Sequence, residues 1–297
     1  MKTHITVLRD EAVNALAIKH NAIVVDATLG AAGHARQIVS TLDAGGVFVG
    51  IDADQSAIDA LQDTLMREGV KTHLCVGNFR SIDSILDALS IQEVDGILAD
   101  LGWRMEQFSG NGRGFSFQVD EPLIMTFGNP ANYPFVAHDI VNEWKEQDIA
   151  NVLRAYGEEK FSGSIARVIV ETREKHPIMT TFELVAAIEA AVPAFYRKGK
   201  IHPATRTFQA LRIAVNDEFD ALETFIRASI VRLKKGGRLA IISFHSLEDR
   251  IVKHSFRAYA QDGGGTIITK KPITASREEL HVNPRARSAK LRVFEKS

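Results

Sequence analysis

Short apolar runs alternate with amphipathic stretches over residues 22–100, and this alternation predicts a parallel sheet covered by helices. Ser56 to Met66, for example, places apolar side chains on one face of a predicted helix. The apolar runs interpreted as the first four strands are Ala22–Asp26, Val47–Asp52, Thr72–Val76 and Val94–Asp100. The first third of the chain therefore has the pattern of an α/β domain.

The alternation stops after residue 100. Residues 103–135 are rich in Gly, Asn, Pro and aromatic residues, which is typical of a structured loop. The apolar spacing then becomes helical, and Thr180-Thr-Phe-Glu183 is a capping box that predicts a helix start. Since no strand pattern interrupts this region, we expect a helical substrate-recognition domain over 105–205, inserted into an α/β domain made of 1–104 and 206–297.

The last third of the chain returns to the α/β pattern. One long helix is predicted from Ala204 to the pair Gly236-Gly237, because glycine commonly ends helices. A fifth strand, a helix and a closing antiparallel pair are then predicted at 238–243, 249–260, 266–270 and 290–294. These elements complete one sheet rather than a separate domain.

Composition narrows the class of protein. With 45% hydrophobic and 25% charged residues, the chain resembles an ordinary soluble globular protein. The net charge of -1 does not exclude a nucleic-acid partner, because a balanced total can hide a basic face. A single cysteine, Cys75, excludes an internal disulfide and a cysteine-rich zinc site, and we expect no metal. The N-terminus has no signal-peptide pattern and no apolar run has the length of a membrane span, so we expect a cytoplasmic protein without a membrane partner.

A glycine turn after the first strand predicts a nucleotide site. Gly30 and Gly33 lie just past the strand, at the sheet edge where ligands bind in doubly wound folds. Asp52 ends the second strand about 20 residues further on, the position of an acid that binds ribose hydroxyls. This arrangement fits either a dinucleotide or S-adenosylmethionine.

Two further residues favour the methyl donor over a nicotinamide-dependent oxidoreductase. Thr28 stands where a dinucleotide fingerprint has its first glycine, and the fourth strand ends in another acid, Asp100. Carboxylates attract a sulfonium and an amino group but repel a pyrophosphate. Phe79, after the third strand, either covers an adenine or packs as a core aromatic under a loop.

Blocks of residues along the whole chain resemble the bacterial 16S ribosomal RNA cytosine-N4 methyltransferases of the RsmH or MraW type. The blocks are His4-Ile-Thr-Val-Leu8, Asp26-Ala-Thr-Leu-Gly-Ala-Ala-Gly-His34, Asp95-Gly-Ile-Leu-Ala-Asp-Leu-Gly102, Arg113-Gly-Phe-Ser-Phe117, Tyr156-Gly-Glu-Glu159, Ile165-Ala-Arg167, His202-Pro-Ala-Thr-Arg-Thr-Phe-Gln-Ala-Leu-Arg212, Ser243-Phe-His-Ser-Leu-Glu-Asp-Arg250 and Asn283-Pro-Arg-Ala-Arg-Ser288. The resemblance implies a class I S-adenosylmethionine-dependent methyltransferase with a Rossmann-like sheet and an inserted all-helical domain. It also implies methylation at N4 of a cytidine in the decoding centre of 16S rRNA in the small ribosomal subunit, with monomer and homodimer both open.

The resemblance also implies which residues contact the methyl donor: Ala32, Gly33, His34, Asp52, Phe79, Asp100 and Gln107. The chain departs from the family pattern at Ala32, which replaces a glycine, and at Trp103-Arg104-Met105, which replaces a small residue and two serines. Ile124 and Thr126 replace an aspartate and an arginine. The departures concentrate on the substrate-side loop, so an RNA-binding assembly factor with weak or altered activity is the alternative.

The chemistry of an exocyclic amine indicates what the site must contain. The amine is a poor nucleophile, so positioning and an oxygen acceptor for its N–H are needed. The candidate acceptors are Asp100 and the nearby backbone carbonyls. Asp100 is the predicted catalytic residue, with a structural role at the strand end as the alternative. Trp103 either stacks on the base or packs against the helical domain. The residues expected to contact RNA are Trp103, Arg113, Arg206, Arg212, His245, Arg285 and Arg287, with Lys290 and Arg292 as further phosphate contacts.

Overall fold

A computed structural model describes residues 5–101 and 112–297. The chain divides into two compact units, one made of 1–102 with 219–297 and the other of 103–218. Within the described residues, no helix has both the length and the apolar character needed to cross a membrane.

Among the described residues, the first unit is built on a mixed sheet of seven strands: β1 Ile23–Asp26, β2 Val47–Asp52, β3 Lys71–Val76, β4 Val94–Asp100, β5 Leu233–Ser243, β6 Gly265–Ile267 and β7 Lys290–Lys296. Their order in the sheet is β3-β2-β1-β4-β5-β7-β6. β1 to β5 pair in parallel, and β7 pairs antiparallel with both β5 and β6. The predicted Rossmann-like parallel sheet and its antiparallel closing pair are confirmed.

Helices cover both faces of this sheet. They are α1 Arg9–Ala15, α2 Gly33–Thr41, α3 Gln55–Leu61, α4 Ile82–Ala88, α11 Glu218–Arg232, α12 Ser246–Gln261 and α13 Arg277–Val282. Because strand side chains alternate in direction, the adjacent residues Val24 and Val25 enter two different cores. One core joins the sheet to α1 and α2, and the other joins it to α4, α11 and α12.

The second unit is helical and has a core of its own. Its helices are α5 Ala137–Glu143, α6 Glu146–Gly157, α7 Ser162–Arg173, α8 Thr181–Ala191, α9 Ala194–Arg197 and α10 Ala204–Asn216. The predicted capping box at Thr180 and Glu183 is present at the start of α8. α10 lies so close to α6 that a Cβ added at Gly157 would be 2.6 Å from the carbonyl oxygen of Arg206. This packing groups α10 with the helical unit, whereas the expected domain boundary between 205 and 206 falls in the first turn of that helix.

Two elements of the last third differ from the prediction. The single helix expected from Ala204 is two helices, because Asp217 adopts a left-handed backbone (φ 49°) between α10 and α11. Gly236 and Gly237 do not end a helix but lie within β5, where the pairing with β4 shifts in register. A Cβ on Gly237 would lie 3.0 Å from the carbonyl oxygen of Asp95, so close strand contact explains the glycine there.

Candidate active site

Three carboxyl groups end three neighbouring strands. Asp26, Asp52 and Asp100 are the last residues of β1, β2 and β4, and β1 lies between the other two strands. Since the carboxyl ends of parallel strands meet at one edge of a sheet, all three acids lie at the edge where doubly wound folds bind ligands.

The turn between β1 and α2 is tied to this edge through backbone amides. Gly30 has a left-handed backbone (φ 56°) and donates its N–H to Asp52 Oδ2 at 2.8 Å. The other oxygen, Asp52 Oδ1, accepts the N–H of Asp54 at 2.9 Å. Both Asp52 oxygens are thus oriented by amides, and each carboxylate oxygen keeps a further lone pair for a ligand hydroxyl.

Ala32 is the buried residue directly before α2, and it too has a left-handed backbone (φ 59°). A residue with a Cβ pays roughly 1–2 kcal/mol for this conformation. The replacement of glycine by alanine therefore keeps the turn geometry at a modest cost in stability.

Thr28 has a role that its sequence position did not reveal. Its Oγ1 accepts the backbone N–H of Asp100 at 2.6 Å, and its own N–H bonds Asp26 Oδ1 at 3.1 Å. The threonine that argued against a dinucleotide thus connects the turn to the end of β4. The partners are 72 residues apart in sequence, so no local pattern could have predicted the bond.

The N-terminal segment forms one side of the turn. A Cβ added at Gly33 would overlap Thr6 Oγ1, so only glycine fits at the first position of α2. His34 is buried, with Nε2 at 3.1 Å from the carbonyl oxygen of Val7 and Nδ1 at 3.9 Å from Asp100 Oδ2. Thr6 and Val7 belong to a sequence block that resembles the family, but the sequence alone did not predict a role for either residue.

α13 and the residue after it hold that N-terminal segment in place. Glu279 Oε1 accepts the N–H of Leu8 at 2.8 Å, and Asn283 Nδ2 donates to the carbonyl oxygen of Ile5 at 3.1 Å. Residues near the C-terminus therefore hold the N-terminal segment that contacts the glycine turn.

Asp26 is the most deeply buried of the three acids. Its side chain is 1% exposed, and among the described residues its Oδ2 has no hydrogen-bond partner. Burial is the main cause that raises the pKa of Asp26 to about 7; the Thr28 amide lowers the pKa, and the charges of Asp100 and Asp52 raise it. Near neutral pH this carboxyl group is divided between its protonated and ionised forms.

Phe79 lies in a 3-10 turn directly after β3. Its half-buried ring packs edge-to-face on Phe225, with centroids 5.3 Å apart. The Asp52 carbonyl oxygen accepts the N–H of Gly77 at 2.8 Å, which holds this turn beside the acid at the end of β2. The ring therefore makes a core contact, and its turn lies beside Asp52, the acid predicted to bind ribose.

Several predicted residues lie outside the described part of the chain. They are Gln107, expected at the donor, and the substrate-loop residues Trp103, Arg104 and Met105.

The predicted RNA-contacting arginines of the helical unit are each held by an internal acceptor. Arg212 forms two hydrogen bonds with Glu218, at 2.8 and 3.0 Å, and Glu218 is 7% exposed. Arg206 donates to the carbonyl oxygen of Glu158 at 2.8 Å. Arg113 donates to the carbonyl oxygen of Phe127 at 2.7 Å. A carbonyl oxygen leaves the guanidinium charge in place, whereas the Glu218 carboxylate compensates that of Arg212.

The predicted RNA contacts of the first unit include one residue that caps a helix and two exposed arginines. His245 caps α12, with Nδ1 accepting the N–H of Glu248 at 3.3 Å, which orders the loop after β5. Arg285 and Arg287 are exposed on the 3-10 turn Pro284–Ser288. Their side chains lie at the surface, where a phosphate can reach them.

Lys290 and Arg292 are bound to the same acid. Arg292 Nε lies 2.6 Å from Asp249 Oδ1, and Lys290 Nζ lies 3.1 Å from Asp249 Oδ2. Although burial opposes ionisation of Asp249, the hydrogen bonds from Arg292 and Lys290 hold its pKa below the usual range. These two cations fasten β7 to α12.

The whole chain, residues 1–297, matches the MraW methylase family. The chain belongs to the MraW methylase family. It is 46% identical to the ribosomal RNA small subunit methyltransferase H of Brevibacillus brevis, over 99% of this chain and 98% of the relative. It is 44% identical to the protein of the same name from a Paenibacillus species, over all of both chains. Among solved structures, an rRNA methylase from Streptococcus thermophilus is 12% identical with a TM-score of 0.45, covering 99% of each chain.

Membership of the family gives the sheet its class, a Rossmann-like class I methyltransferase fold, and gives the site its cofactor, S-adenosylmethionine. The donor set fits that cofactor. Carboxyl groups at the sheet edge suit a ligand that carries a sulfonium, an ammonium and ribose hydroxyls, and the buried Asp26 Oδ2 is a polar atom without a hydrogen-bond partner among the described residues. The predictions of the family, the fold class and the cofactor are confirmed.

Proposed function

We propose that this chain methylates the exocyclic N4 amine of a cytidine in the decoding centre of 16S rRNA, and that it acts in the cytoplasm on the small ribosomal subunit. The near-full-length match to relatives named ribosomal RNA small subunit methyltransferase H carries this proposal. The pattern of sequence blocks that resembles the cytosine-N4 methyltransferases supports the choice of atom.

The residues at the sheet edge divide the work of binding the donor. S-adenosylmethionine supplies an electrophilic methyl group when bound. Asp52 binds the ribose hydroxyls, since amide contacts already orient its two oxygens. Phe79 lies against the adenine, and the turn around the start of α2 binds the methionyl part. The proposed donor contacts are Ala32, Gly33, His34, Asp52, Phe79, Asp100 and Gln107.

Asp100 acts on the nucleophile. A cytosine amine has its lone pair delocalised into the ring, so an acceptor on its N–H is needed to direct that pair toward the methyl group. The Asp100 carboxylate is suited to this role because its backbone is held by Thr28 Oγ1 and its Oδ2 lies 3.9 Å from the buried His34. Most of the acceleration comes from positioning, which supplies up to about 7–11 kcal/mol in oriented reactions.

The position of the only cysteine argues for direct transfer rather than covalent catalysis. Methylation at C5 of a cytosine requires a cysteine nucleophile near the base. Cys75 lies within β3, paired in register with Ile51, and burial raises the pKa of its thiol. A thiol in that position is a poor nucleophile, which favours the exocyclic amine as the acceptor.

The substrate contacts that we propose lie on both units: Trp103, Arg113, Arg206, Arg212, His245, Arg285 and Arg287. The target cytidine must be unpaired or flipped out, because its amine is inaccessible inside a helix. The helical unit serves substrate recognition in this proposal.

The deciding experiment incubates the protein with labelled S-adenosylmethionine and small subunits that lack the modification, and then maps the methylated nucleotide. We expect label at N4 of one cytidine. Label on another atom or base would overturn the assignment of the target, and donor binding without any transfer would instead support the RNA-binding assembly factor.

The role of Asp100 has a separate test. Asp100→Asn is expected to reduce the single-turnover rate at saturating donor at least about 100-fold, since general catalysis by a positioned group contributes roughly 10²–10⁴-fold. Asp63→Asn, which changes an exposed acid of the same unit, is the matched control. An unchanged single-turnover rate in Asp100→Asn would remove this residue from the chemistry.

A further inference from the structure

A short helix of the second unit presents an aromatic ring directly to solvent. Phe195, in the four-residue helix α9, is 72% exposed, although phenylalanine is usually buried. Ile201, a few residues on, is 58% exposed. We call the segment from 195 to 201 the aromatic–basic ridge; its outward side chains are Phe195, Arg197, Lys198, Lys200 and Ile201.

A buried acid, Glu159, holds the residue next to Phe195 in place. Tyr196, beside Phe195, donates its hydroxyl to Glu159 Oε2 at 2.7 Å, and Glu159 is 2% exposed. The other oxygen, Glu159 Oε1, accepts the N–H of Phe161 at 2.8 Å. Burial and the Glu159 contact raise the pKa of Tyr196 to about 12, so the hydroxyl remains a donor at neutral pH. The exposed ring is therefore presented by an ordered support.

Aromatic contacts strengthen that support. The ring of Phe161 lies 4.8 Å from the ring of Tyr196 and 6.2 Å from that of Phe195, both in tilted edge-to-face arrangements. Phe195 thus contacts the ring of Phe161 while most of its surface remains in solvent. A ring held in this way can stack on a planar ligand without first being ordered.

The charges of the ridge all have one sign. Residues 190–201 contain three cations, Arg197, Lys198 and Lys200, and no acid. Arg197 donates to the carbonyl oxygen of Glu189 at 3.0 Å, a contact that leaves its charge uncompensated. Lys198 and Lys200 form no ion pair with the part of the chain that the structure describes. The ridge is complementary to a polyanion.

We propose that the aromatic–basic ridge binds a single-stranded segment of RNA, with Phe195 stacked on an unpaired base and the three cations on the flanking phosphates. A solvent-facing aromatic ring among cations is the combination by which proteins hold single strands without reading their sequence. The proposal rests on the proposed function only in that RNA is the substrate. It adds a contact that is not among the RNA-contacting residues predicted from the sequence.

The geometry disfavours a membrane and an apolar protein groove as partners. A helix that lies in a membrane interface buries a continuous apolar face, and α9 has a single turn. Two separated apolar side chains, Phe195 and Ile201, do not make the contiguous patch of an apolar protein interface. Arg206 lies beside Tyr196, so the ridge continues into a residue already expected to contact phosphate.

The test measures binding of the full chain to a fluorescein-labelled oligocytidylate of about 20 nucleotides, by fluorescence anisotropy. Phe195→Ala is expected to weaken binding about 5- to 150-fold, the effect of losing one base stack, while Phe195→Trp retains it. Phe182→Ala is the matched control, because Phe182 is 48% exposed but adjoins Glu183 and donates its N–H to Asp120. The control is expected to leave affinity unchanged.

The cations have their own readout. The double variant Lys198→Gln with Lys200→Gln is expected to lower the slope of log affinity against log salt by about 1.4, because each phosphate contact on a single strand contributes about 0.7. Unchanged circular dichroism and melting temperature in each variant exclude misfolding as the cause of weaker binding.

Four results would overturn the proposal. The unaltered chain does not bind the oligocytidylate, or Phe195→Ala binds it as tightly as the unaltered chain does. A duplex RNA of the same length competes equally well, or the variants lose binding only to phosphatidylglycerol vesicles and not to the oligocytidylate. Methyl transfer to small subunits is measured separately. Transfer with an unaltered Phe195→Ala affinity would refute the ridge alone, and weakened oligocytidylate binding without any transfer would refute the proposed function alone.

Discussion

Replacing Asp26 by asparagine should stabilise the fold, and by more as the pH rises. The side chain of Asp26 is buried and its pKa is raised from 3.8 to about 7, mainly by burial. The folded state therefore holds its proton more tightly than the unfolded chain does. Stability is greatest below the unfolded pKa of 3.8 and is lost as the pH rises toward 7, because ionised Asp26 opposes folding.

The size of the effect follows from the two pKa values. A difference between 3.8 and about 7 corresponds to about 4 kcal/mol of destabilisation once both states are ionised. Part of this destabilisation is already present at about pH 5, because Asp26 is mostly ionised in the unfolded chain at that pH. The unfolding free energy of Asp26→Asn minus that of the unaltered chain should therefore grow by about 2–3 kcal/mol between about pH 5 and about pH 8.

Urea denaturation followed by circular dichroism, at both pH values, measures this difference. Taking the variant minus the unaltered chain cancels the titration of all other groups that the substitution leaves alone. The asparagine carbonyl can still accept the Thr28 amide, so the turn after β1 is retained. Asp63→Asn, at an exposed position, is the control and should show no growth with pH. A difference that stays constant between the two pH values would refute the argument from burial.

Three further substitutions test other contacts. Gly33→Ala is expected to displace the N-terminal segment, because its Cβ would overlap Thr6, and to abolish detectable S-adenosylmethionine binding by calorimetry. Arg212→Met leaves the buried Glu218 carboxylate without its bidentate partner and should lower the unfolding free energy by about 3 kcal/mol in urea titrations. Asp249→Asn should destabilise the fold at neutral pH but not once the pH falls below its depressed folded pKa, as measured by thermal melts across the acid range.

Each of these predictions has an outcome that contradicts it. Gly163→Ala adds a Cβ where nothing lies within 4 Å, so it should leave donor binding intact, and equal donor binding by Gly33→Ala would disprove the steric argument. An Arg212→Met protein with unaltered stability would mean that the contact with Glu218 does not stabilise the fold. A pH-independent effect of Asp249→Asn would mean that its charge is not what stabilises β7.

The arrangement of strands was predictable because it depends on local periodicity. The prediction for β4 agrees with the structure residue for residue, and those for β1 to β3 agree within one residue at each end. The capping box at Thr180 is present for the same reason, since its bonds join residues three apart. Asp52 and Asp100 were recognised as candidate site residues because each ends an apolar run.

The points at which a helix ends or a strand begins in the last third of the chain were not predictable from that periodicity. The apolar spacing continues through Asp217, so one helix was predicted where a left-handed residue separates two. Gly236 and Gly237 have the composition of a helix end, yet both lie in β5, and Gly237 lies close to the backbone of β4. Both errors arise because a single dihedral or a neighbouring strand leaves no mark on the pattern.

The amino-acid sequence by itself determined the α/β class, the strands that carry the three acids and the family to which the chain belongs, since each depends on residue identity and spacing along the chain. Only the tertiary structure decided how that edge is built. It joined Thr28 to Asp100, seated Thr6 on Gly33 and buried Asp26 deeply enough to raise its pKa. It also decided which cations are compensated: Glu218 neutralises Arg212, whereas the cations near Phe195 are exposed. The physical reason is that burial, close approach and charge compensation are properties of residues distant in sequence, which only the folded chain brings together.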